Sequence, residues 1–399
     1  MQGESNDDGI MKNALSATVL VLLAAMVSCT EFVNEVPEPY FVDRGLTVSK
    51  VARIISELPL GSEHLNEVYD AVNSSSVNGY DEEYTMSELF SSPGSGVGEE
   101  STRSDKYSRP MRDLFADYFR LSSETRSGGD QDVEELMNSL MESDMQIYWP
   151  YSEYWDGRTF PIVTFDPGYG AESNYGYVIR SGPDGRPEVA DSVIVDEKMA
   201  MERPVWVINT NDDRNYTPIT KAPQPLVKSS SFSSSGDGSE YSGKQKLCLK
   251  SFMMLRNYDS WFAGASEFWV KIGAVDGFKA ADENDLKLYT PTVTDFMVVI
   301  KRNQLGVRVP LDVIMLTDFT DQIEKLAFLV IEDDGGESTS WKASAVVKVN
   351  SKQYGFDVTI PYRDHDDVVW RGQLSTDYFY PTVPTEGRFG DVKLVFELH

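Results

Sequence analysis

Cysteine and histidine are scarce in this chain of 399 residues, which holds two cysteines and three histidines. The cysteines, Cys29 and Cys248, are too few for a disulfide framework. The sequence also lacks the HExxH, CxxC, GxxxxGK[ST] and GxSxG patterns, and with them the residues of the commonest zinc, nucleotide and serine-hydrolase sites. These absences weigh against an enzyme, and that class stays open only for an aromatic and acidic segment near residue 150.

Basic residues are outnumbered as well. The chain has 36 Lys and Arg against 64 Asp and Glu, which gives a formal net charge of −28. Because a field of this sign repels phosphate backbones and anionic membrane surfaces, the composition argues against nucleic-acid binding. It favours divalent cations instead. Hydrophobic residues make up 41% and aromatic residues 12% of the chain, which is enough for globular cores.

One hydrophobic run stands near the start, where residues 15–27 are apolar apart from Ser16 and Thr18. It could be a transmembrane anchor, the first helix of a core, or a processing signal. A membrane-spanning helix needs about 20 apolar residues, whereas a signal peptide needs about 7–15 after a positive charge. Lys12 supplies that charge directly after Met11, and residues 1–10 are acidic. We therefore predict a signal peptide over residues 1–28, with translation beginning at Met11.

Residues 26–29, Met-Val-Ser-Cys, resemble the lipobox of bacterial lipoproteins, in the relaxed form of Bacteroidetes-type lipoproteins. The resemblance implies that Cys29 is lipidated and becomes the mature N-terminus, anchored in the outer membrane by the two or more acyl groups that stable anchoring requires. Residues 29–45 are predicted to form an extended tether. Their acids resemble the surface-export signal of the same lipoproteins, which favours the cell surface. The alternative is a core helix that starts with a buried Cys29.

Residues 46–225 are predicted to form an α+β domain. Apolar stripes with helical spacing predict four helices, and a capping box from Thr85 to Glu88 marks the start of another. The stripes lie at residues 48–58, 65–72, 111–118 and 133–141. From about residue 158 the pattern changes to that of strands, at residues 160–165, 175–180, 189–195 and 205–208. Helices followed by strands are typical of the α+β class.

Residues 226–243 are rich in serine and glycine and are predicted to be a linker. Beyond it, residues 244–399 contain eight strand-like runs, which predict an all-β antiparallel sandwich. The runs are 246–255, 266–275, 295–302, 307–316, 325–334, 344–350, 354–362 and 391–399. Cys248 lies in the first run and is predicted to be a buried, inert thiol.

The segment 258–272 resembles the first calcium loop of C2 domains, with Glu267 in place of the usual aspartate and a longer loop. The residues that fit the C2 pattern are Gly264, Ser266, Trp269, Val270 and Lys271. Residues 326–334 look like the strand that enters the other calcium loop, and residues 363–367 are a rival candidate for that loop. The resemblance implies that the predicted sandwich is C2-like.

Calcium takes six to eight oxygen ligands, so a site needs carboxylates that converge from two or more loops. The candidate ligands on these loops are Asp259, Glu267, Asp333, Asp334, Asp364, Asp366 and Asp367. The last three could complete one site or form a separate one. The alternative is that these acids are solvated turns of an acidic protein. Calcium binding is a separate hypothesis from the fold, because a fold does not imply a function.

Five aromatic residues stand within the eight residues from Tyr148 to Trp155. Such rings could stack on sugar faces while nearby carboxylates bind the hydroxyls, or they could form the core at the junction of helices and sheet. The residues of this hypothetical glycan site are Tyr148, Trp149, Tyr151, Glu153, Trp155 and Asp156. A glycosidase would need the two carboxylates about 5–9.5 Å apart across a cleft, which their spacing in sequence does not establish.

Residues 45–215 resemble a group of uncharacterised Bacteroidetes lipoproteins. The matching elements are Tyr80-Asp-Glu-Glu-Tyr84, the Ile-Tyr-x-Pro-Tyr pattern at 147–151 and Trp-Asp-Gly at 155–157. The leading hypothesis is thus a lipid-anchored envelope protein whose C2-like sandwich binds a protein or glycan partner, with Ca²⁺ as its cofactor. The alternatives are a carbohydrate-active enzyme or glycan-binding protein that uses residues 148–156, and a purely structural or adhesive module.

Overall fold

The computed structural model describes residues 46–91, 106–124, 130–181, 187–211, 245–380 and 383–399. The predicted signal peptide, Cys29, the tether and the Ser/Gly-rich linker therefore lie outside the described residues. The described residues all belong to one compact unit, Phe41–His399. No helix in these ranges combines the length and the apolar composition that crossing a membrane requires.

Six helices are described, and most begin where the sequence predicts. They are α1 (Val48–Glu57), α2 (Ser62–Val77), α3 (Met86–Phe90), α4 (Met111–Glu124), α5 (Asp130–Glu142) and α6 (Glu197–Glu202). The Thr47 hydroxyl caps α1 by accepting from the Lys50 N–H (3.3 Å), and the Thr85 hydroxyl caps α3 by accepting from the Glu88 N–H (3.2 Å). These bonds satisfy N–H groups that have no partner within the first helical turn.

The N-terminal half contains a mixed sheet in the order β1-β2-β6-β3-β4-β5. Its strands are β1 (Glu83–Thr85), β2 (Met145–Tyr148), β3 (Ile162–Phe165), β4 (Ser173–Ser181), β5 (Pro187–Asp196) and β6 (Val205–Thr210). The β3–β6 pair is parallel and the other pairs are antiparallel. Strands β1 and β2 were not predicted, because each is shorter than the alternation that identifies a strand in sequence.

The C-terminal half consists of two antiparallel sheets. One has the order β10-β7-β16-β15, and the other has the order β13-β12-β11-β8-β9, with β14 paired to β11. The strands are β7 (Gln245–Met254), β8 (Ser266–Ala274), β9 (Thr292–Ile300), β10 (Val309–Phe319), β11 (Ile323–Glu332), β12 (Ser338–Val349), β13 (Lys352–Arg363), β14 (Asp367–Ser375), β15 (Thr385–Phe389) and β16 (Val392–Leu398). The eight predicted strands are confirmed, and β14 and β15 are additional.

Three apolar clusters hold these layers together. One joins the helices to the N-terminal sheet, and a second joins the two C-terminal sheets. The third combines strands of the N-terminal sheet with Trp261 and Phe262, which come from the connection between β7 and β8. Both of these side chains are fully buried. The α+β character of the first half and the β-rich character of the second are thus confirmed, and the two halves share a core.

The thiol of Cys248 lies on β7 and is 4% exposed. Burial raises the pKa of this thiol, so at neutral pH it is held in the protonated, poorly nucleophilic form. Its surroundings agree with the inert thiol that the sequence predicts.

Candidate cation-binding site

Three connections of the C-terminal half meet at one end, which we call the acidic end. They are residues 255–265 between β7 and β8, 333–337 between β11 and β12, and 364–366 between β13 and β14. The Asp333 N–H donates to the Glu267 carbonyl (2.9 Å), and the Asp334 N–H donates to a carboxylate oxygen of Asp366 (3.3 Å). The loops that carry the predicted calcium ligands therefore lie beside one another.

Within the acidic end, the carboxylates of Asp259, Glu267 and Glu332 converge. One oxygen from each lies within 4.8 Å of the others. Glu332 is fully buried and Glu267 is 8% exposed. Since Ca²⁺ lies about 2.3–2.6 Å from each oxygen ligand, two ligands on opposite sides of the ion are roughly 5 Å apart. The spacing of these three carboxylates is therefore compatible with one ion shared between them.

Glu332 was not among the predicted ligands, although it belongs to residues 326–334, the run that looks like a calcium-loop strand. The signal was available in the sequence: Glu332 is the first of three consecutive acids that follow the apolar residues 326–331. Strand β11 pairs with β8 so that Glu332 faces Phe268 across the ladder. This register brings the last residue of β11 next to Glu267, the second residue of β8.

The other predicted ligands are held by donors of the protein itself. Asp333 accepts from the Trp269 indole N–H (2.8 Å) and from the Gly335 N–H (3.1 Å). Asp364 accepts from the Glu337 N–H (2.7 Å), and Asp366 accepts from the Arg363 N–H (2.7 Å). Asp367 forms an ion pair with Arg256 (3.7 Å). These four carboxylates stabilise the loops through their own hydrogen bonds and ion pair. Neither they nor Asp334 belong to the group of Asp259, Glu267 and Glu332.

The acidic end concentrates carboxyl groups whose pKa values are raised. Burial, followed by the charges of Asp259 and Asp367, raises the pKa of Asp334 to about 6. Burial also raises the pKa of Asp366 to about 6 and raises that of Asp259. Because low solvation and like charges both disfavour ionised carboxylates, a cation bound here would stabilise the ionised forms of these groups.

A second acidic segment, residues 81–83, packs against the acidic end from the N-terminal half. Each of its three side chains is at most 5% exposed. The Asp81 carboxylate accepts from the Ala265 N–H (3.0 Å). Burial raises the pKa of Asp81, and burial together with the Asp81 charge raises the pKa of Glu82 to about 8. The group of carboxyl side chains therefore extends across the junction between the two halves.

Gly264 allows this close approach. Its backbone has φ +142°, and a Cβ atom at this position would lie 2.8 Å from a carboxylate oxygen of Asp81. Side chains rarely adopt that backbone conformation, and the space is already filled by the carboxylate. The absence of a side chain at Gly264 therefore lets Asp81 lie against the connection that carries Asp259.

A small cavity of about 20 Å³ lies between the two acidic segments. Its lining residues are Asp81, Glu83, Gln146, Asp259, Ala263, Ala265 and Glu267. Such a volume holds about one water molecule or one ion of similar size. Asp81, Glu83 and Gln146 were not among the predicted site residues, because they are far from the sandwich loops in sequence. The available signal was a run of three acids between two tyrosines, Tyr80 and Tyr84.

Arg302 ties the acidic end to the N-terminal half. Its guanidinium donates to the Glu197 carboxylate (2.5 and 3.2 Å) and to the Asp259 carbonyl (3.0 Å). The side chain is 7% exposed. Although burial raises the pKa of Glu197, the hydrogen bonds and charge of Arg302 bring it below its usual value. The Arg302 guanidinium therefore binds Glu197 and the loop backbone.

The aromatic segment lies mostly in the core. Tyr148 and Trp149 are each 1% exposed and Tyr151 is 8% exposed, so these three rings offer very little exposed surface to a sugar. Trp155 packs on Trp149 with ring centroids 5.2 Å apart. This placement agrees with the alternative that the segment anchors the junction between helices and sheet.

The two carboxylates of that segment also have partners. Asp156 accepts from the Arg158 N–H (2.9 Å), the Thr159 N–H (2.7 Å) and the Thr159 hydroxyl (2.8 Å). Glu153 accepts from the Asn303 amide. Asp156 therefore closes a turn, and Glu153 contacts the C-terminal half.

Comparison of the chain with protein-family models, with curated proteins and with solved structures finds no match. Function is therefore inferred from the geometry of the site.

Proposed function

We propose that this chain is a lipid-anchored cell-envelope protein that binds Ca²⁺ at the acidic end and uses that end to bind a partner. The convergence of the Asp259, Glu267 and Glu332 oxygens within 4.8 Å is the observation that carries the proposal. Ca²⁺ is a hard cation that prefers carboxylate and carbonyl oxygens. It would also offset the negative charge that burial makes unfavourable there.

The C2-like character of the C-terminal half is part of the same proposal. It is supported by two antiparallel sheets around a shared core and by the meeting of three loops at one end. The residues that resemble a C2 calcium loop lie at this end, with Gly264 in the connection and Trp269-Val-Lys271 on β8. A sandwich that presents several loops at one end is suited to binding through those loops.

The lipid anchor is supported by the sequence around Cys29 alone. Lipidation at this residue would place the protein in the outer membrane, and the acids of the tether favour the cell surface. Cys29→Ser should abolish incorporation of labelled palmitate and release the protein from the membrane fraction of expressing cells. Labelling equal to that of the wild type would refute this part of the proposal.

Calcium binding is tested by titrating Ca²⁺ into chelator-treated protein in a calorimeter. We expect a saturable isotherm that fits one site, and at least a tenfold loss of affinity in Glu332→Gln, which removes a charged oxygen ligand while preserving shape. Asp377→Asn, at an exposed carboxylate outside the acidic end, is the matched control and should bind as the wild type does. No saturable binding, or equal affinity in Glu332→Gln, would contradict the proposed function.

A glycan-binding role has less support. The side chains that line the groove beside the aromatic segment include Tyr154, Trp155 and Asp156. Tyr154 is 70% exposed, but Trp155 packs on Trp149 and Asp156 closes its own turn. One exposed ring offers much less surface for stacking a sugar than the cluster of aromatic residues that the sequence suggested.

A further inference from the structure

We propose that the cation bound by Asp259, Glu267 and Glu332 lies at the edge of the cavity between the two halves of the chain, where Asp81 and Gln146 complete its ligand set. This inference rests on the calcium binding proposed above and adds that the N-terminal half supplies part of the coordination. The ion would then join the mixed sheet to the loops of the C-terminal half.

Gln146 provides the observation that is independent of the acids. It lies on β2, is 4% exposed and lines the cavity. Its amide oxygen Oε1 is buried and accepts no hydrogen bond from the described residues. Buried amide oxygens are almost always paired, because an unpaired acceptor loses its hydration without compensation. A cation in the cavity would supply the missing partner, since amide oxygens are ordinary calcium ligands.

The neighbouring strand holds the loop over this cavity. Gln146 pairs across the sheet with Asn209 of β6. The Asn209 amide donates to the backbone carbonyls of Phe262 and Ala263, which belong to the same connection as Asp259. The loop that carries a ligand is thus fixed to the strand that carries Gln146.

Asp81 is the charged ligand of the N-terminal half. Its carboxylate oxygens accept from the Glu82 N–H (2.7 Å) and the Ala265 N–H (3.0 Å). Each carboxylate oxygen has a further lone pair for a metal. The backbone bond to Ala265 holds Asp81 against the connection between Asp259 and Glu267. The position is therefore fixed by the fold before any ion binds.

The donor set identifies the class of cation. Every polar side chain that lines the cavity offers oxygen, from carboxylates or from an amide, and thiolate or imidazole ligands are not among them. This chemistry suits Ca²⁺ better than Zn²⁺. A water molecule would fit the volume and could donate to Gln146, but only a cation would stabilise the ionised forms of the buried Asp81, Asp259 and Glu267 carboxylates.

The test compares Gln146→Leu and Gln146→Glu with the wild type and with Gln353→Leu, a control at an exposed position of β13. Calcium affinity is measured by calorimetry, and the melting temperature is measured in excess chelator and in excess Ca²⁺. We expect Gln146→Leu and Asp81→Asn each to weaken Ca²⁺ binding at least tenfold. Gln146→Glu, which retains an oxygen ligand, should bind Ca²⁺, and Gln353→Leu should match the wild type.

The melting curves distinguish a ligand from a structural residue. In chelator, Gln146→Leu should melt no lower than the wild type, because it removes an unpaired acceptor. In Ca²⁺ the wild type should melt higher than this variant. If Gln146→Leu lowers the melting temperature equally in both buffers, the cavity holds water only and the inference is wrong.

The same measurements separate this inference from the proposed function. If Glu332→Gln loses Ca²⁺ while Asp81→Asn and Gln146→Leu retain wild-type affinity, calcium binds at the acidic end without the N-terminal half. The proposed function then stands and the shared site is refuted. If the wild type binds no Ca²⁺, both are refuted.

Discussion

Trp149→Ala is expected to lower the free energy of unfolding by about 3–5 kcal/mol, the usual cost of replacing a buried tryptophan with alanine. Trp149 is 1% exposed. Its ring contacts those of Tyr69, Trp155 and Trp206, with centroids 5.9, 5.2 and 5.7 Å away. The neighbouring rings are rigid, so they cannot collapse fully into the space, and the cavity that remains adds to the lost burial.

The matched control is Tyr154→Ala. Tyr154 belongs to the same aromatic segment but is 70% exposed, so its removal should change stability by no more than about 0.5 kcal/mol. Urea unfolding of both variants measures the difference. Equal midpoints for Trp149→Ala and the wild type would show that Trp149 is not part of the core.

The core around Trp149 also supports the candidate site. The Trp149 N–H donates to the Glu82 carbonyl (2.9 Å), in the acidic segment that packs on the loop of Asp259. The aromatic segment is thus connected to the calcium proposal through the backbone of residues 81–83. The sequence suggested two unrelated sites, one aromatic and one acidic. In the structure the aromatic segment is part of the core and contacts the acidic segment 81–83 through its backbone.

The elements that could be predicted are those with a strong local pattern. The stripe from Val48 to Leu58 has helical spacing over three turns, and the runs that became β8 and β11 are long and apolar. Strands β1 and β2 are three and four residues long. No periodicity can be read from so few residues, and their existence depends on the pairing of β1 with β2 and of β2 with β6.

The candidate site was predictable only in part, for the same reason. The acids of the C-terminal loops follow recognisable strands, so their meeting at one end could be expected from an antiparallel sandwich. The contribution of Asp81 and Gln146 depends on how the mixed sheet packs against those loops. That packing is set by Trp261, Phe262 and Arg302, whose partners in the N-terminal half are distant in sequence. A local sequence pattern does not detect contacts of this kind.

Removal of calcium is expected to lower the stability of the folded protein by an amount similar to that of Trp149→Ala. A ligand that binds only the folded state stabilises it by about 4 kcal/mol when its free concentration is a thousand times the dissociation constant. For a chain of this size we expect such a gain to raise the melting temperature by about 4–8 °C. The buried carboxylates of Asp81, Asp259 and Glu267 supply the charge that the ion would neutralise.

The most direct test is to record melting curves of one preparation of the wild-type protein in excess chelator, in excess Ca²⁺ and in excess Mg²⁺. Mg²⁺ is the matched control, because it is smaller, requires octahedral geometry and retains its water. We predict a melting temperature about 4–8 °C higher in Ca²⁺ than in chelator, with a smaller rise in Mg²⁺. Superimposable curves in chelator and in Ca²⁺ would contradict the proposed binding of Ca²⁺ at the acidic end.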